Sequence, residues 1–267
     1  MLKLAVIGAQ DLLGRELAGA LEPHASVLPL ATAALTPEEE EADIVLFAPT
    51  RELIEGMDAV ILTHTPPEGL LDDFAGRILD ARPVGAEGEV LPFGPWPEGA
   101  KRFQLRPAVE QVLALVPKLV SGVKEVRGTH LRAVAHMGDA GVMGLHEQTK
   151  AILLGEDPNT AALGYRAAFE IVPQMPRGHL IEVRVPVFHG DLLVLHLTGT
   201  DLKPLDAPSG VAWTTEPPSS REVAVSSNLL ANLHLDGDAK GAVLTLGFDP
   251  ILWGVLRPVM HAFSLMD

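Results

Sequence analysis

Residues 2–14, LKLAVIGAQDLLG, decide the fold of this chain. Residues 4–7 are an apolar run, Gly8 follows at once, and from Leu12 onward the apolar residues recur at helical spacing. A strand, a glycine turn and a helix in this order open a dinucleotide-binding βαβ unit. In such a unit Gly8 allows the sharp exit from the strand, and Gly14 lets the helix pack close to the sheet. The stretch therefore predicts an N-terminal Rossmann-like unit built on a parallel sheet.

Asp11 stands where such turns carry a further glycine beside the pyrophosphate. Its carboxylate would repel a phosphate, and its Cβ would block the close approach of the backbone. The other interpretation is that Asp11 caps the first helix by accepting a hydrogen bond from a free N–H group. We expect the cap, and a cap would occupy the anion site. The turn is therefore a better predictor of the fold than of a bound cofactor.

Composition excludes several classes of function. The 267 residues carry a net charge of −15, and no basic stripe is present to bind nucleic acid or an anionic membrane. No apolar run approaches the roughly 18 residues that span a bilayer, and the N-terminus does not read as a signal peptide, so we expect a cytoplasmic protein. The absence of cysteine removes disulfides, thiolate metal sites and thiol nucleophiles. Scarce Asn and Gln with plentiful Pro are typical of thermophile proteins.

Two domains are predicted from the pattern along the chain. Residues 1–105 alternate short buried strands with helical pieces, which predicts an α/β domain with a parallel sheet. Residues 106–250 carry longer strand patterns and two helices, which predicts an α+β domain with a mostly antiparallel sheet. A closing helix over 251–267, interrupted at Pro258, returns to the first domain. The expected strands lie at 26–30, 44–47, 59–62, 76–80, 126–135, 167–172, 180–188, 192–197, 230–235 and 242–248, and the expected helices at 12–21, 107–119 and 140–154.

Several segments of the chain resemble aspartate-semialdehyde dehydrogenases, in the same order. Residues 132–149, RAVAHMGDAGVMGLHEQT, resemble the family segment QAVSGAGKAGMxELxEQT without a gap. AFEIVPQ at 168–174 resembles AFNVIPQ, and VRVPVFHGD at 183–191 resembles VRVPVFVGH. Residues 8–14 resemble GATGAVG, and residues 114–119 resemble ALKPL. The most similar branch is the divergent Usg-type relatives, which carry PVFYGH.

This resemblance implies an N-terminal NADP domain and a C-terminal dimerisation domain that also carries catalytic groups. In the family a cysteine thiolate forms a thioacyl intermediate, hydride from NADPH resolves it, and a histidine is the acid and base. Arginines hold the substrate carboxylate and phosphate, and the reaction serves amino-acid biosynthesis. Carried over to this chain, the cofactor-binding positions are Gly8, Gln10, Leu13, Gly14 and Gly138.

The catalytic positions of the family are replaced. The cysteine falls near Arg106, the glutamine is Arg132 and the histidine is Asp191. A protonated arginine cannot attack a carbonyl, and an exposed aspartate is a poor base near pH 7. His189 shares the face of Asp191 if the strand continues without a bulge. Arg184 alone keeps its position, as the carboxylate-binding arginine, and the alternative interpretation is a salt-bridged strand residue.

Other candidate sites carry less information. His234 with Asp236 and Asp238 suits a hairpin turn better than a metal site, so we expect no metal. Asp139 and the acidic run at 38–41 add negative charge to the expected cofactor region. After the second strand, residues 31–33 offer no arginine for a 2′-phosphate. The resemblance thus implies NADP, whereas these residues favour weak binding or none.

Three functional hypotheses remain open. The first is a catalytically inactive homodimeric relative that serves as a binding or interaction module, pairing with itself or with an active paralogue. The second is an NAD(P)-dependent oxidoreductase that acts on an aldehyde or oxo group without a thioacyl intermediate. The third is a small-anion binding protein that uses Arg106, Arg132 and Arg184. None of the three involves nucleic acid or a membrane.

Overall fold

A computed structural model describes residues 1–32, 46–82, 89–92, 94–174 and 179–265 of the chain. It divides into two compact units, described here one at a time. The first unit comprises Met1–Pro107 and Gly254–Asp267, and the second comprises Ala108–Trp253. Within the described ranges, no helix is long and apolar enough to cross a membrane.

The first unit is built on a parallel sheet, as the sequence predicts. Its described strands, in the spatial order β2-β1-β3-β4-β6-β5, all pair in parallel. They are β1 Lys3–Ile7, β2 Ser26–Leu30, β3 Ala59–Leu62, β4 Arg77–Asp80, β5 Glu89–Val90 and β6 Arg102–Gln104. The helices are α1 Leu12–Leu21, α2 Arg51–Ile54 and, after the π-helix Leu252–Leu256, α7 Arg257–Ala262. The class is α/β.

Apolar residues are buried on both faces of this sheet. Leu4 and Val6 of β1 face one core, which also holds Leu17 of α1 and Val259 of α7. The intervening residues of β1 face a second core on the opposite side. A strand with both faces covered reads as a continuous apolar run, which explains why the sequence signal for β1 was clear.

The second unit contains a mixed sheet in the order β11-β12-β13-β10-β7-β9-β8. Its pairings are antiparallel except for β7 with β9 and β11 with β12, so the predicted mostly antiparallel sheet is confirmed. The strands are β7 Val120–Arg132, β8 Val172–Pro173, β9 Leu180–Arg184, β10 Asp191–Pro204, β11 Val211–Trp213, β12 Leu229–Leu235 and β13 Gly241–Phe248. The helices are α3 Ala108–Leu113, α4 Val116–Leu119, α5 Gly138–Leu153 and α6 Ser220–Ala224, with a 3-10 turn at Val134–Met137.

Several of the predicted elements are wrong in extent. Strand β7 begins at Val120 rather than at 126, β10 runs to Pro204 rather than to 197, and three further elements are broken, shortened or absent. The predicted helix over 107–119 is two short helices, because Pro117 lacks an N–H and takes up the first turn of a new helix. The strand predicted over 180–188 ends at Arg184, and an irregular segment follows up to Gly190, whose φ is +87°. The strand predicted at 167–172 is a loop up to Ile171, because its backbone bonds to a side chain rather than to a neighbouring strand.

Short elements account for most of what the sequence pattern missed. β5, β6, β11 and α2 span two to four residues each, which is too few for a periodicity to show. The acidic run at 38–41 and most of the strand predicted at 44–47 lie outside the described residues. Phe47 forms an isolated parallel bridge with Leu30.

Candidate functional site

The glycines of the opening turn serve the packing of the first unit. Gly8 has φ +103°, and a Cβ there would lie 2.4 Å from Thr63 Oγ1. A Cβ on Gly14 would lie 2.2 Å from the carbonyl oxygen of Gly8, which is backbone and cannot move aside. Strand β1 and helix α1 therefore approach each other too closely for any side chain at position 14. Both glycines are explained by the fold, whether or not a nucleotide binds.

Asp11 occupies the N-terminus of α1 as its cap. It has extended backbone angles, and its Oδ1 accepts the Leu12 N–H at 2.8 Å. Its Oδ2 lies 3.8 Å from His64 Nδ1. The carboxylate thus stands where a helix N-terminus would offer its N–H groups and positive dipole to a phosphate. The capping interpretation of Asp11 is confirmed.

The other cofactor positions expected from the resemblance are engaged in local contacts. Gln10 Nε2 donates to Thr32 Oγ1 at 2.7 Å, and Arg15 donates to the Gln10 carbonyl at 2.7 Å. Leu13 is half-buried in the first turn of α1, and Gly138, with φ +67°, begins α5 in the second unit. A pyrophosphate at α1 would meet the Asp11 carboxylate. The Asp11 carboxylate therefore does not fit a dinucleotide whose pyrophosphate is bound at this turn.

Two arginines lie side by side at the end of β7 and β9 in the second unit. The parallel register pairs Arg132 with Arg184. Arg132 is neutralised, because its Nη1 lies 3.3 and 3.2 Å from the two carboxylate oxygens of Glu182. This ion pair lowers the pKa of Glu182 although partial burial acts in the opposite direction. The charge of Arg132 is thus compensated within the protein.

Arg184 has no such partner among the described residues. Its guanidinium lies over the Tyr165 ring, with Cζ 4.7 Å from the ring centroid. The Arg184 Nε is buried and makes no hydrogen bond of good geometry with the described residues. The same holds for the buried Tyr165 hydroxyl oxygen. Burial raises the pKa of Tyr165, against the influence of the Arg184 charge, so the phenol keeps its proton. The two side chains also interact with each other, because the Arg184 side chain acts as a hydrogen-bond donor to the Tyr165 phenol oxygen. The Arg184 Nε–H and the Tyr165 O–H are therefore the donors left without an acceptor among the described residues.

Gln148 holds the loop that carries Tyr165. Its side chain is fully buried, and its Oε1 accepts the Ala167 and Ala168 N–H groups at 2.7 and 3.2 Å. Its Nε2 donates to the Tyr165 carbonyl at 3.0 Å. One amide thus fixes a whole irregular segment to α5. Tyr165 and Gln148 were not predicted as site residues, and the sequence signal that could have found Gln148 is the EQT motif at 147–149.

Asp191 is buried, which corrects the expectation of an exposed carboxylate. Only 1% of its surface is exposed. Its Oδ2 accepts a hydrogen bond from His130 Nε2 at 2.8 Å, and its Oδ1 accepts the Ala133 N–H at 2.9 Å. The His130 ring also stacks on Phe248 at 6.0 Å. Asp191 therefore joins β10 to the end of β7, and its partner is His130, not His189, which lies in the irregular segment before β10.

His136 is a neutral imidazole beside the arginine pair. Burial, together with the nearby Arg132 charge, lowers the pKa of His136 to about 4. Its Nδ1 lies 2.6 Å from the Ala133 carbonyl oxygen, an acceptor, so Nδ1 carries the proton and donates. Nε2 is then an acceptor. The group is a poor acid at neutral pH because it holds no second proton.

The remaining candidates lie elsewhere. Arg106 follows β6 at the end of the first unit and is engaged in an interaction. His234, Asp236 and Asp238 lie at the β12–β13 hairpin, and no group of three metal-binding side chains occurs among the residues described. The structure thus brings Arg132 and Arg184 together within the second unit.

Comparisons with known proteins place the fold. A scan against protein-family models finds no match, and a search of curated protein sequences finds none. Among solved structures, aspartate semialdehyde dehydrogenase II of Vibrio cholerae, complexed with ASA, matches with TM-score 0.73, 15% identity and coverage of 99% of this chain and 98% of that one. A probable aspartate-semialdehyde dehydrogenase of Pseudomonas aeruginosa matches with TM-score 0.73, 16% identity and coverage of 97% and 96%. The enzyme of Francisella tularensis matches with TM-score 0.71, 13% identity and coverage of 97% and 98%. At these identities the likeness concerns the fold alone, and the chain therefore has the fold of the aspartate-semialdehyde dehydrogenases.

Proposed function

We propose that this chain is a non-catalytic relative of the aspartate-semialdehyde dehydrogenases that binds a small carboxylate anion at Arg184. The observation that carries this proposal is that the Arg184 Nε–H and the Tyr165 O–H are buried and have no acceptor among the described residues. A buried donor left unsatisfied costs about 1–3 kcal/mol, and more when it belongs to a charged group. A ligand that accepts from both donors removes that cost.

The chemistry of these donors selects a planar anion. A guanidinium edge presents parallel N–H groups that match the two oxygens of a carboxylate. Tyr165 supplies a second, neutral donor at the same place. Arg132 is already paired with Glu182, so the uncompensated positive charge is that of Arg184. One carboxylate therefore balances the positive charge of Arg184. The family resemblance implies the same carboxylate-binding role for this residue.

This chain lacks the groups that thioacyl chemistry requires. The chain contains no cysteine, and Arg106 stands near the family's nucleophile position. Both carboxylate oxygens of Asp191 are engaged, with His130 and with the Ala133 N–H. The neutral His136 is bonded to the backbone. We therefore expect no phosphate-dependent oxidation of aspartate semialdehyde, with turnover below about one per minute against the 1–10³ s⁻¹ of typical enzymes.

Calorimetric titration with succinate and acetate tests the binding. We expect saturable binding of succinate and a loss of about 30-fold or more in affinity for Arg184→Met, corresponding to about 2 kcal/mol. Tyr165→Phe, which removes only the hydroxyl, should cost about fivefold. Arg127→Met is the matched control, because Arg127 is exposed and pairs with an exposed Glu125. Equal affinity of the Arg184→Met and Arg127→Met proteins would refute the proposed site.

An NAD(P)-dependent oxidoreductase is the second candidate. The turn with Gly8 and Gly14 favours it, as does the buried Oε1 of Gln10, which makes no hydrogen bond within the described part of the chain. The carboxylate of Asp11 opposes it. Binding of NADPH or NADH with a dissociation constant of low micromolar order would favour this candidate over a non-catalytic protein.

We also propose that the chain forms a homodimer through the second unit. Leu131, Leu192 and Val194 lie only half-buried on the sheet face opposite the core, and Ile181 beside them is 44% exposed. An apolar face of this kind suits an isologous contact around a twofold axis.

Light scattering of the purified protein should give about 57 kDa, twice the 28.4 kDa of one chain. A mass of one chain would refute the dimer, and Val194→Arg should dissociate it. An active paralogue is the other partner compatible with this face.

A further inference from the structure

The edge of the second unit's sheet is open along half of β12. Strand β11 pairs with the first three residues of β12, from Val211 opposite Leu229 to Trp213 opposite Ala231. Strand β12 continues to Leu235, and among the described residues no strand lies beside this second half. An open strand edge is a template on which another extended chain can pair.

The backbone of Leu233 and Leu235 points towards this open side. Leu229 and Ala231 already bond to the β11 side, through the Gly210 carbonyl at 2.9 Å and the Thr214 N–H at 2.7 Å. Residues two apart on a strand direct their polar groups to the same side. Leu233 and Leu235 therefore offer their N–H and C=O groups outward, and no partner for them occurs on that side among the described residues.

An apolar groove of about 450 Å³ runs beside this edge. Its lining includes Leu233 and Leu235 from β12, Trp213 from β11, and Leu205 and Asp206 from the segment after β10. Trp213 Nε1 donates to the Leu205 carbonyl at 3.1 Å, which fixes the far wall. The groove can receive the side chain of an added strand that faces the core side of the sheet.

The charges around this edge are predominantly acidic. Asp206 lines the groove, Asp236 follows Leu235 directly, and Glu216 accepts a hydrogen bond from Thr214 through its carbonyl. Two lysines lie near these acidic residues. Lys240 lies 3.9 Å from Asp238, and Lys203 precedes Leu205 and Asp206 in the chain. Such a rim attracts cations and repels a second copy of itself.

We propose that this edge binds an extended segment of a partner protein in which apolar residues alternate with lysine or arginine, as an added strand beside Leu233 and Leu235. The backbone of the segment would supply the missing ladder hydrogen bonds. Its apolar side chains would enter the groove beside Leu233 and Leu235, and its basic side chains, on the opposite face of the added strand, would be attracted by the acidic residues around the edge. A second copy of this chain would bring the same acidic side chains together, which costs free energy, so the occupant is a basic partner.

Fluorescence anisotropy with a capped synthetic peptide tests the proposal. In this peptide Val and Leu alternate with Lys and Arg, and in its control Glu replaces every Lys and Arg. We expect the basic peptide to bind at least about tenfold more tightly than the acidic one. Asp206→Lys should weaken it at least about fivefold. Asp157→Lys, the same change at an exposed loop residue, should leave the affinity unchanged.

Hydrogen exchange locates the contact. The amides of Leu233 and Leu235 should become protected when the basic peptide is added, because they enter a new ladder. Equal affinity for both peptides, no saturation at about 1 mM, or no added protection at these amides would overturn the proposal. Protection that rises with protein concentration without peptide would show that a second copy occupies the edge, which also overturns it.

Discussion

The glycine turn of the first unit and the arginine site of the second unit, formed by Arg132, Arg184 and Tyr165, differ in how their polar groups are satisfied. The turn looks like a binding motif in the sequence, yet Asp11 meets the helix N-terminus and both glycines serve close packing, and the atom left without a hydrogen bond among its described residues is a neutral acceptor, the Gln10 Oε1. The arginine site has no recognisable motif around Tyr165, yet the Arg184 Nε–H and the Tyr165 O–H are buried there without acceptors among the described residues. A motif records how the backbone turns, whereas buried donors without acceptors beside an uncompensated charge support the proposed anion site.

The two arginines of the arginine site differ in the same respect. Arg132 and Arg184 are paired in register on neighbouring strands, so the fold treats their backbones alike. Glu182 neutralises one of them, and an aromatic ring supports the other. A ring attracts a guanidinium by about 0.5–2 kcal/mol but accepts no conventional hydrogen bond from Nε. Arg184 is therefore positioned without being satisfied.

The largest effect is expected from Gly14→Ala. A methyl group there would overlap the Gly8 carbonyl oxygen, so strand and helix must separate, and we expect a loss of about 5 kcal/mol or failure to fold. Gly19→Ala is the control on the same helix, because nothing lies within 4 Å of its added methyl group. That change should stabilise the protein by about 0.5–1 kcal/mol. Similar denaturation midpoints for both variants would show that Gly14 is not a packing residue.

Gln148→Leu should have the next largest effect. It leaves the Ala167 and Ala168 N–H groups and the Tyr165 carbonyl without their partner, at an expected cost of about 3–5 kcal/mol. Because Tyr165 then loses its position, succinate affinity should fall as well. Gln174→Leu is the control, since its bonds to Val172 and Pro173 are long, at 3.4 and 3.3 Å. Urea denaturation measures both, and equal losses would contradict the role of Gln148.

His136 should make stability depend on pH. Its pKa is about 4 in the folded protein against an ordinary value of 6.5, so the unfolded chain binds the proton first as the pH falls. Stability is then complete above pH 6.5 and falls as the pH drops towards 4, by up to about 3 kcal/mol. His136→Gln should remove this part of the pH dependence, and His146→Gln, at an exposed position, should not. Parallel stability curves for wild type and His136→Gln would contradict the burial of a neutral imidazole.

Asp11→Ala should have the smallest effect. The loss of a helix cap costs about 1 kcal/mol. Glu16→Ala, at an exposed position inside the same helix, should change stability by less than about 0.5 kcal/mol. If the two substitutions shift the thermal midpoint equally, the Asp11 carboxylate does not cap the helix, and its place at the N-terminus is open to a phosphate.

The sheets were predictable from the sequence because they are recorded in local patterns. The runs at β1 and β3 are buried on both faces and therefore read as continuous apolar segments. The long strand β10 alternates buried and less buried residues over its first half. Such patterns need only neighbours in the chain.

The arginine site and the Asp191 contacts were less predictable because they join residues that are distant along the chain. Asp191 is buried through His130, which lies 61 positions earlier in the chain. Tyr165 reaches Arg184 across 19 positions, from a loop that one amide of Gln148 holds. The family resemblance located Arg184, but burial and missing partners are properties of the folded chain alone.

One titration tests the central claim most directly. The wild-type protein is followed by calorimetry with succinate and, in a parallel sample, with NADPH. We predict saturable succinate binding that the Arg184→Met substitution weakens about 30-fold, and no NADPH binding in the low micromolar range. Tight NADPH binding with no response to succinate would contradict the account, because it would place the ligand at the glycine turn instead of at Arg184.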